Sequence, residues 1–235
     1  MSLTVAYAGL AAGLMLWIFL VLRLRAKPWE AELAGQGDLA ADTPTAAPAR
    51  IGLWVFLAVV TSLFGLFISA YFIRMGHLHA EGQGMGDWRP VTEPTILWAN
   101  TAALILASVA MQWARVAAAR AQADRMRLGL MVGGALTLVF LAGQINGWRE
   151  LSATQYASPG DPAVAFFYVL TVVHALHLLG GLYVWNRTLG RLAQARRSPN
   201  PARLAAVRLS VELCTFYWHY LLLVWLVLYA LLLST

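Results

Sequence analysis

Polar and apolar residues are sorted along this chain into long blocks. Six apolar runs, residues 3–24, 51–73, 95–114, 128–148, 163–186 and 209–235, alternate with connections that hold most of the charge. A bilayer core about 30 Å thick takes about 20 apolar residues to cross as a helix, so each run predicts one membrane-spanning helix. Arg23 closes the first run and Glu212 stands near the start of the last. The other four contain no Asp, Glu, Lys or Arg. All nine prolines fall in the connections. Uninterrupted helices require this, because an interior proline removes a backbone hydrogen bond that lipid cannot replace. Strands of a membrane barrel would alternate in polarity over about ten residues, and no segment does so. The pattern predicts an all-α polytopic membrane helix bundle with six transmembrane helices.

The cations orient it. The connections after runs one, three and five carry Arg23, Arg25, Lys27 and Arg50; Arg115, Arg120, Arg125 and Arg127; and Arg187, Arg191, Arg196, Arg197, Arg203 and Arg208. The opposite side has Arg74, Arg89 and Arg149. Lys and Arg collect in cytoplasmic loops, so both termini are expected on the periplasmic side. A secretory signal peptide would place its positive charge before its apolar stretch; here the positives follow it, which favours a retained helix. Residues 26–50, rich in Ala, Pro and Thr, read as a flexible cytoplasmic linker. The expected organisation is an N-terminal transmembrane helix in 1–25, this linker, and a five-helix core in 51–235.

Composition agrees with the pattern. Apolar residues make up 60% of the chain and charged ones 12%, with a mean hydropathy of +0.65. That is too little polar surface for a water-soluble domain, which carries about 25% charged residues. The net charge of +6 does not mark a nucleic-acid binder, because the cations sit between apolar runs and form no basic face. The single Cys214 cannot form an intrachain disulfide. Arg dominates the cations and Ala is abundant, the composition of a GC-rich bacterial genome.

Polar groups at membrane depth are functional candidates by default. They are His174 and His177 in run five, Glu212 and His219 in run six, Gln144 and Asn146 in run four, and Asn100 and Gln112 in run three. His174 and His177 share a helix face and lie roughly 16 and 21 Å along run five at 1.5 Å per residue. His219 lies roughly 15 Å along run six on the same rise. Three readings of these imidazoles stand open. They are neutral histidines bonded to carbonyls or hydroxyls of neighbouring helices, or a haem or metal site, or a proton or lipid site. Two histidines on one helix face cannot both ligate one haem, and no carboxylate lies at that depth to complete a metal site. Glu212 has Arg208 four residues before it; a structural ion pair or a phospholipid headgroup contact competes with a catalytic acid. Gly9 with Gly13, Gly129 with Gly133, and Gly180 with Gly181 are spaced for close helix packing. Trp98, Trp113, Trp148 and Trp185 fall at run ends, as in an aromatic belt. No phosphate loop, CxxCH or CxxC occurs. An independent transporter would want midplane charges or broken helices, which the runs lack.

Several segments together resemble a known family. FFYVLTVVHALHLLGGLYVW (166–185) and FYWHYLLLVWLVLY (216–229), with Glu212 seven residues before His219, are similar to the signature helices of subunit III of haem–copper respiratory oxidases. GLWVFLA (52–58), FISAYF (67–72), LWANTAALILAS (97–108) and FLAGQINGWREL (140–151) follow in family order. The resemblance implies a non-catalytic accessory subunit of a proton-pumping cytochrome c oxidase. It would pack directly on subunit I and neighbour subunit II and small helical subunits. It would hold no haem or copper, which belong to the partner subunits, and would bind phospholipid. It implies lipid headgroup contact for Arg208 and buried polar roles for Glu212, Trp218, His219, His174 and His177. Val60 and Leu222 stand where the family carries carboxylates. Subunit III of a quinol oxidase and the related accessory protein of nitric oxide reductase are the alternatives, and the electron donor is left open.

Overall fold

The computed structural model describes residues 46–80, 96–155, 162–198 and 200–233. The apolar run 3–24, most of the linker and both termini lie outside the described residues. Five helices follow one another, α1 (Ala46–Ala80), α2 (Ile96–Ala119), α3 (Ala123–Gln155), α4 (Pro162–Arg197) and α5 (Pro201–Leu233). All five are long and apolar enough to cross a membrane. The chain divides into two units, Met1–Gly52 and Leu53–Thr235. The first turns of α1 are the described part of the first.

The helices outrun the apolar runs that predict them. α1 begins five residues before its run, and α4 continues eleven residues past its own, to Arg197. The extensions are rich in Ala, Arg and Leu, which are good helix formers, so the helix continues after the apolar sequence stops. α4 and α5 open on Pro162 and Pro201, where proline's missing N–H costs nothing. Asn200 caps α5 by accepting the Ala202 N–H through Oδ1 at 2.9 Å.

Close approaches join α2 to α3, α3 to α4, α4 to α5 and α5 back to α2, which closes a four-helix ring. The α2–α3 hairpin is the tightest because α3 turns glycines toward α2. A Cβ at Gly129 would lie 2.9 Å from the Ala114 Cβ and one at Gly133 2.8 Å from the Met111 Sδ. One at Gly143 would overlap the Asn100 side chain. The expected packing role of Gly129 and Gly133 is thus met on α2.

α1 joins through side chains. A stripe of Leu57, Val60, Phe64 and Tyr71, spaced three, four and seven residues, is buried. Trp54 packs on Phe216 of α5 at 4.8 Å between ring centroids, and Tyr71 packs edge-on against Phe166 of α4 at 5.5 Å. The hydroxyls of Thr61 and Tyr220 are bonded at 2.9 Å. Val60 is in the core and Leu222 packs against it; a carboxylate at Val60 would be buried among apolar groups.

Candidate functional site

The core is fastened by indoles. Trp225 of α5 donates to the Thr101 hydroxyl of α2 at 3.0 Å, and Trp218 of α5 to Thr137 of α3 at 2.9 Å. Trp148 of α3 donates to Thr171 of α4 at 3.0 Å. Each threonine in turn donates to the carbonyl four residues earlier, Leu97, Gly133 and Phe167. A Thr hydroxyl can give to its own helix and receive from a neighbour at once, so three helix pairs share one device. Trp185 donates to the Leu130 carbonyl at 2.8 Å. This corrects the aromatic-belt expectation for Trp148 and Trp185, which are partly buried and bonded to neighbouring helices. Trp98 and Trp113 are exposed, as a belt requires.

The three imidazoles occupy three different surroundings. His219 sits in the α2–α5 seam: its Nδ1 is bonded to the Ser108 hydroxyl, and its Nε2 lies 3.2 Å from Gln112 Oε1. Since an amide oxygen only accepts, Nε2 carries the proton and Nδ1 receives from Ser108. His177 is partly buried on α4, where Nδ1 donates to its own helix at Val173 O, 2.7 Å away. Its carbonyl accepts from Tyr217 OH at 3.0 Å. His174 is fully buried, and neither ring nitrogen has a hydrogen-bond partner. Its neighbours are the rings of Trp225, Phe140 and Phe64, with centroids 5.4, 5.9 and 6.5 Å away. The expectation of histidines bonded to neighbouring helices therefore describes His219 alone, since His177 bonds its own helix and His174 has no partner. Facing rings, and no carbonyl or hydroxyl, is the reason. Among the described residues, no group of three His, Cys, Asp or Glu gathers as a metal site would need.

Glu212 is half-buried on α5 and Arg208 is exposed one turn before it. Trp218 is fully buried against Thr137. Register across the seam, set by Thr215 donating to Met111 O at 3.0 Å and by Trp225 to Thr101, puts Glu212 level with Arg115. Both mark the end of the bundle where most arginines gather. At that end, Arg196 pairs with Asp124 at 2.7 Å and Arg191 donates to Ser210 at 2.6 Å.

One feature was not legible in the chain. A cavity of about 490 Å³ opens between α1, α4 and α5. Its walls are Leu53 and Phe56, then Leu176, His177, Gly180 and Val184, then Leu213, Cys214 and Tyr217. Gly180 has nothing within 4 Å of the place its Cβ would take, so its missing side chain is part of the opening. Gly181 instead packs on Tyr217 and Trp218. The paired glycines thus serve two ends, one the groove and one the core. The lining is almost wholly apolar and sits within the membrane-spanning segments.

The family model described as cytochrome c oxidase subunit III matches residues 5–234. Cytochrome c oxidase subunit 3 of Thermostichus vulcanus is 30% identical over 183 residues, 77% of this chain and 85% of that protein. The Corynebacterium diphtheriae protein of the same name is 28% identical over 200 residues, covering 81% of this chain and 92% of its own length. A probable cytochrome c oxidase subunit 3 of Mycobacterium tuberculosis strain H37Rv is 28% identical over 182 residues, 76% of this chain and 84% of that one. With a match that runs nearly end to end, the chain belongs to the cytochrome c oxidase subunit III family.

Proposed function

We propose that this chain is the non-redox accessory subunit of a proton-pumping terminal oxidase in a bacterial inner membrane. The family match over 5–234 carries the reading. In it the chain packs on subunit I beside subunit II, and haem and copper reside in those partners. Its own work is mechanical and solvating: it covers a flank of the catalytic subunit, holds phospholipid and supports proton uptake and turnover stability. The relatives' name, cytochrome c oxidase subunit 3, favours cytochrome c over quinol as donor to the complex. The segment 1–25 acts as a retained first span, with both termini periplasmic and 26–50 as linker.

Two observations support the lipid role. The groove between α1, α4 and α5 is apolar and large enough for part of an acyl chain. Arg208, Arg187 and Arg203 are exposed at the basic end, where phosphate headgroups are attracted. Trp218 and His219 brace the helix that presents Arg208 and Glu212.

Deletion of the gene tests the whole reading. The expected result is an oxidase core that still reduces oxygen, takes up protons more slowly and inactivates after fewer turnovers. Co-purification of oxidase subunits and phospholipid with the tagged chain is expected alongside. Isolation of the chain without any oxidase subunit, or unaltered turnover lifetime after deletion, would sink it.

A further inference from the structure

The centre of the four-helix ring contains polar atoms that no protein group satisfies. His174 is 0% exposed and both its ring nitrogens are without a partner. Gln144, 1% exposed, is in the same state at its amide nitrogen. Its Oε1 accepts from Asn100 Nδ2 at 3.5 Å, and Nε2 has no acceptor. The two residues stand at one level. Trp148, one turn further along α3 than Gln144, is bonded to Thr171, one turn before His174 on α4. Phe140, one turn earlier on α3, packs edge-on against the His174 ring.

The unmet needs are complementary. A neutral imidazole offers one N–H and one acceptor lone pair, and an amide nitrogen offers two N–H groups. Gln144 therefore has donors to spare and His174 has an acceptor to fill, on facing helices, beyond direct hydrogen-bond reach. Burial without partners forfeits the hydration of each group with nothing in return. A hydrocarbon ligand would leave all of these atoms unsatisfied, and an ion would meet no charge to balance it. One molecule that donates and accepts over about 3 Å to either side meets both needs.

We propose that Gln144 and His174 hold an internal water molecule at the heart of the bundle. It accepts from Gln144 Nε2–H and donates to the unprotonated nitrogen of His174. The rings of Phe140 and Phe64, inclined at 79° and 61° to the imidazole, are weak acceptors available to its protonated nitrogen. Such waters are integral to buried polar layers and are costly to remove. This one ties α3 to α4 where neither Trp148 nor Trp185 reaches. The inference rests on this chain's interior and not on its assembly with an oxidase.

A density map of the full chain, in the membrane complex it is purified with, tests it directly at a resolution that shows ordered water. Density about 3 Å from both Gln144 Nε2 and a His174 nitrogen is the expected result. A direct Gln144–His174 bond, or no density between them, overturns the proposal. A second measurement uses histidine labelled with ¹⁵N. Magnetisation transfer from water to the His174 ring is expected in the unsubstituted chain and lost in Gln144→Leu. Absence of transfer in the unsubstituted chain, or transfer that persists in a folded Gln144→Leu, overturns it equally. Should Gln144→Leu fail to fold, the map and the unsubstituted spectrum decide.

Discussion

Single residues in this protein matter chiefly through where their neighbours stand. Thr101, Thr137 and Thr171 look like incidental hydroxyls in apolar runs, yet each receives an indole N–H from another helix. Removing one such bond in a membrane core costs about 1 kcal/mol. Thr101→Val is expected to lower stability by about that amount, read as a lower unfolding temperature in detergent, with Trp225 left unpaired. The glycines divide by the same logic. Gly143→Ala would drive a methyl group into Asn100 and is expected to cost about 1–3 kcal/mol, the usual penalty of overpacking. Gly180→Ala meets empty space and is expected to leave stability unchanged or raise it by up to about 1 kcal/mol through helix propensity. A larger Gly180→Leu would fill the groove. Quantifying phospholipid retained on the purified variants checks this, with less lipid expected on Gly180→Leu than on Gly180→Ala. From the sequence, Gly180 and Gly181 were indistinguishable, because spacing along one helix does not say what the next helix brings opposite.

The individual helices were legible as apolar runs, since crossing hydrocarbon demands a length of apolar sequence whatever surrounds it. Their ends were not. α2 was expected to stop near Ala114 and extends to Ala119, and α3 begins at Ala123. The turn between them is a Schellman closure: Gln122 N–H reaches the Ala117 carbonyl at 2.9 Å and Ala121 N–H reaches that of Ala118 at 3.2 Å. Ala121 occupies the left-handed position, with φ of 55°. Glycine is the usual residue there because a Cβ crowds the following carbonyl. Ala121→Gly is therefore expected to stabilise the hairpin by about 1 kcal/mol, seen as a higher unfolding temperature, against the ordinary rule that glycine weakens a chain.

At the scale of the whole molecule, the arginines that orient the chain gather at one end of the ring. Arg115, Arg120, Arg125, Arg127, Arg191, Arg196 and Arg203 lie there, and Arg74 and Arg149 lie at the other. Single cysteines introduced at Arg125 and Arg196, in a chain with Cys214→Ala, are expected to react with a membrane-impermeant thiol reagent only from the cytoplasmic side. One at Arg149 should react only from the periplasmic side. The same labelling of intact cells and inverted vesicles would reverse the proposed topology if the sides exchanged. The amino-acid sequence alone determined the membrane class, the five described helices, their alternation of polar ends and the family, because hydrocarbon, charge and motif order act on the chain locally. The tertiary structure alone decided which imidazole is bonded and which is ringed by aromatics, which glycine is core and which is groove, and that α1 rests on α4 and α5 across an open cleft. Those outcomes depend on which faces meet, and facing is a relation between distant segments that no single run encodes.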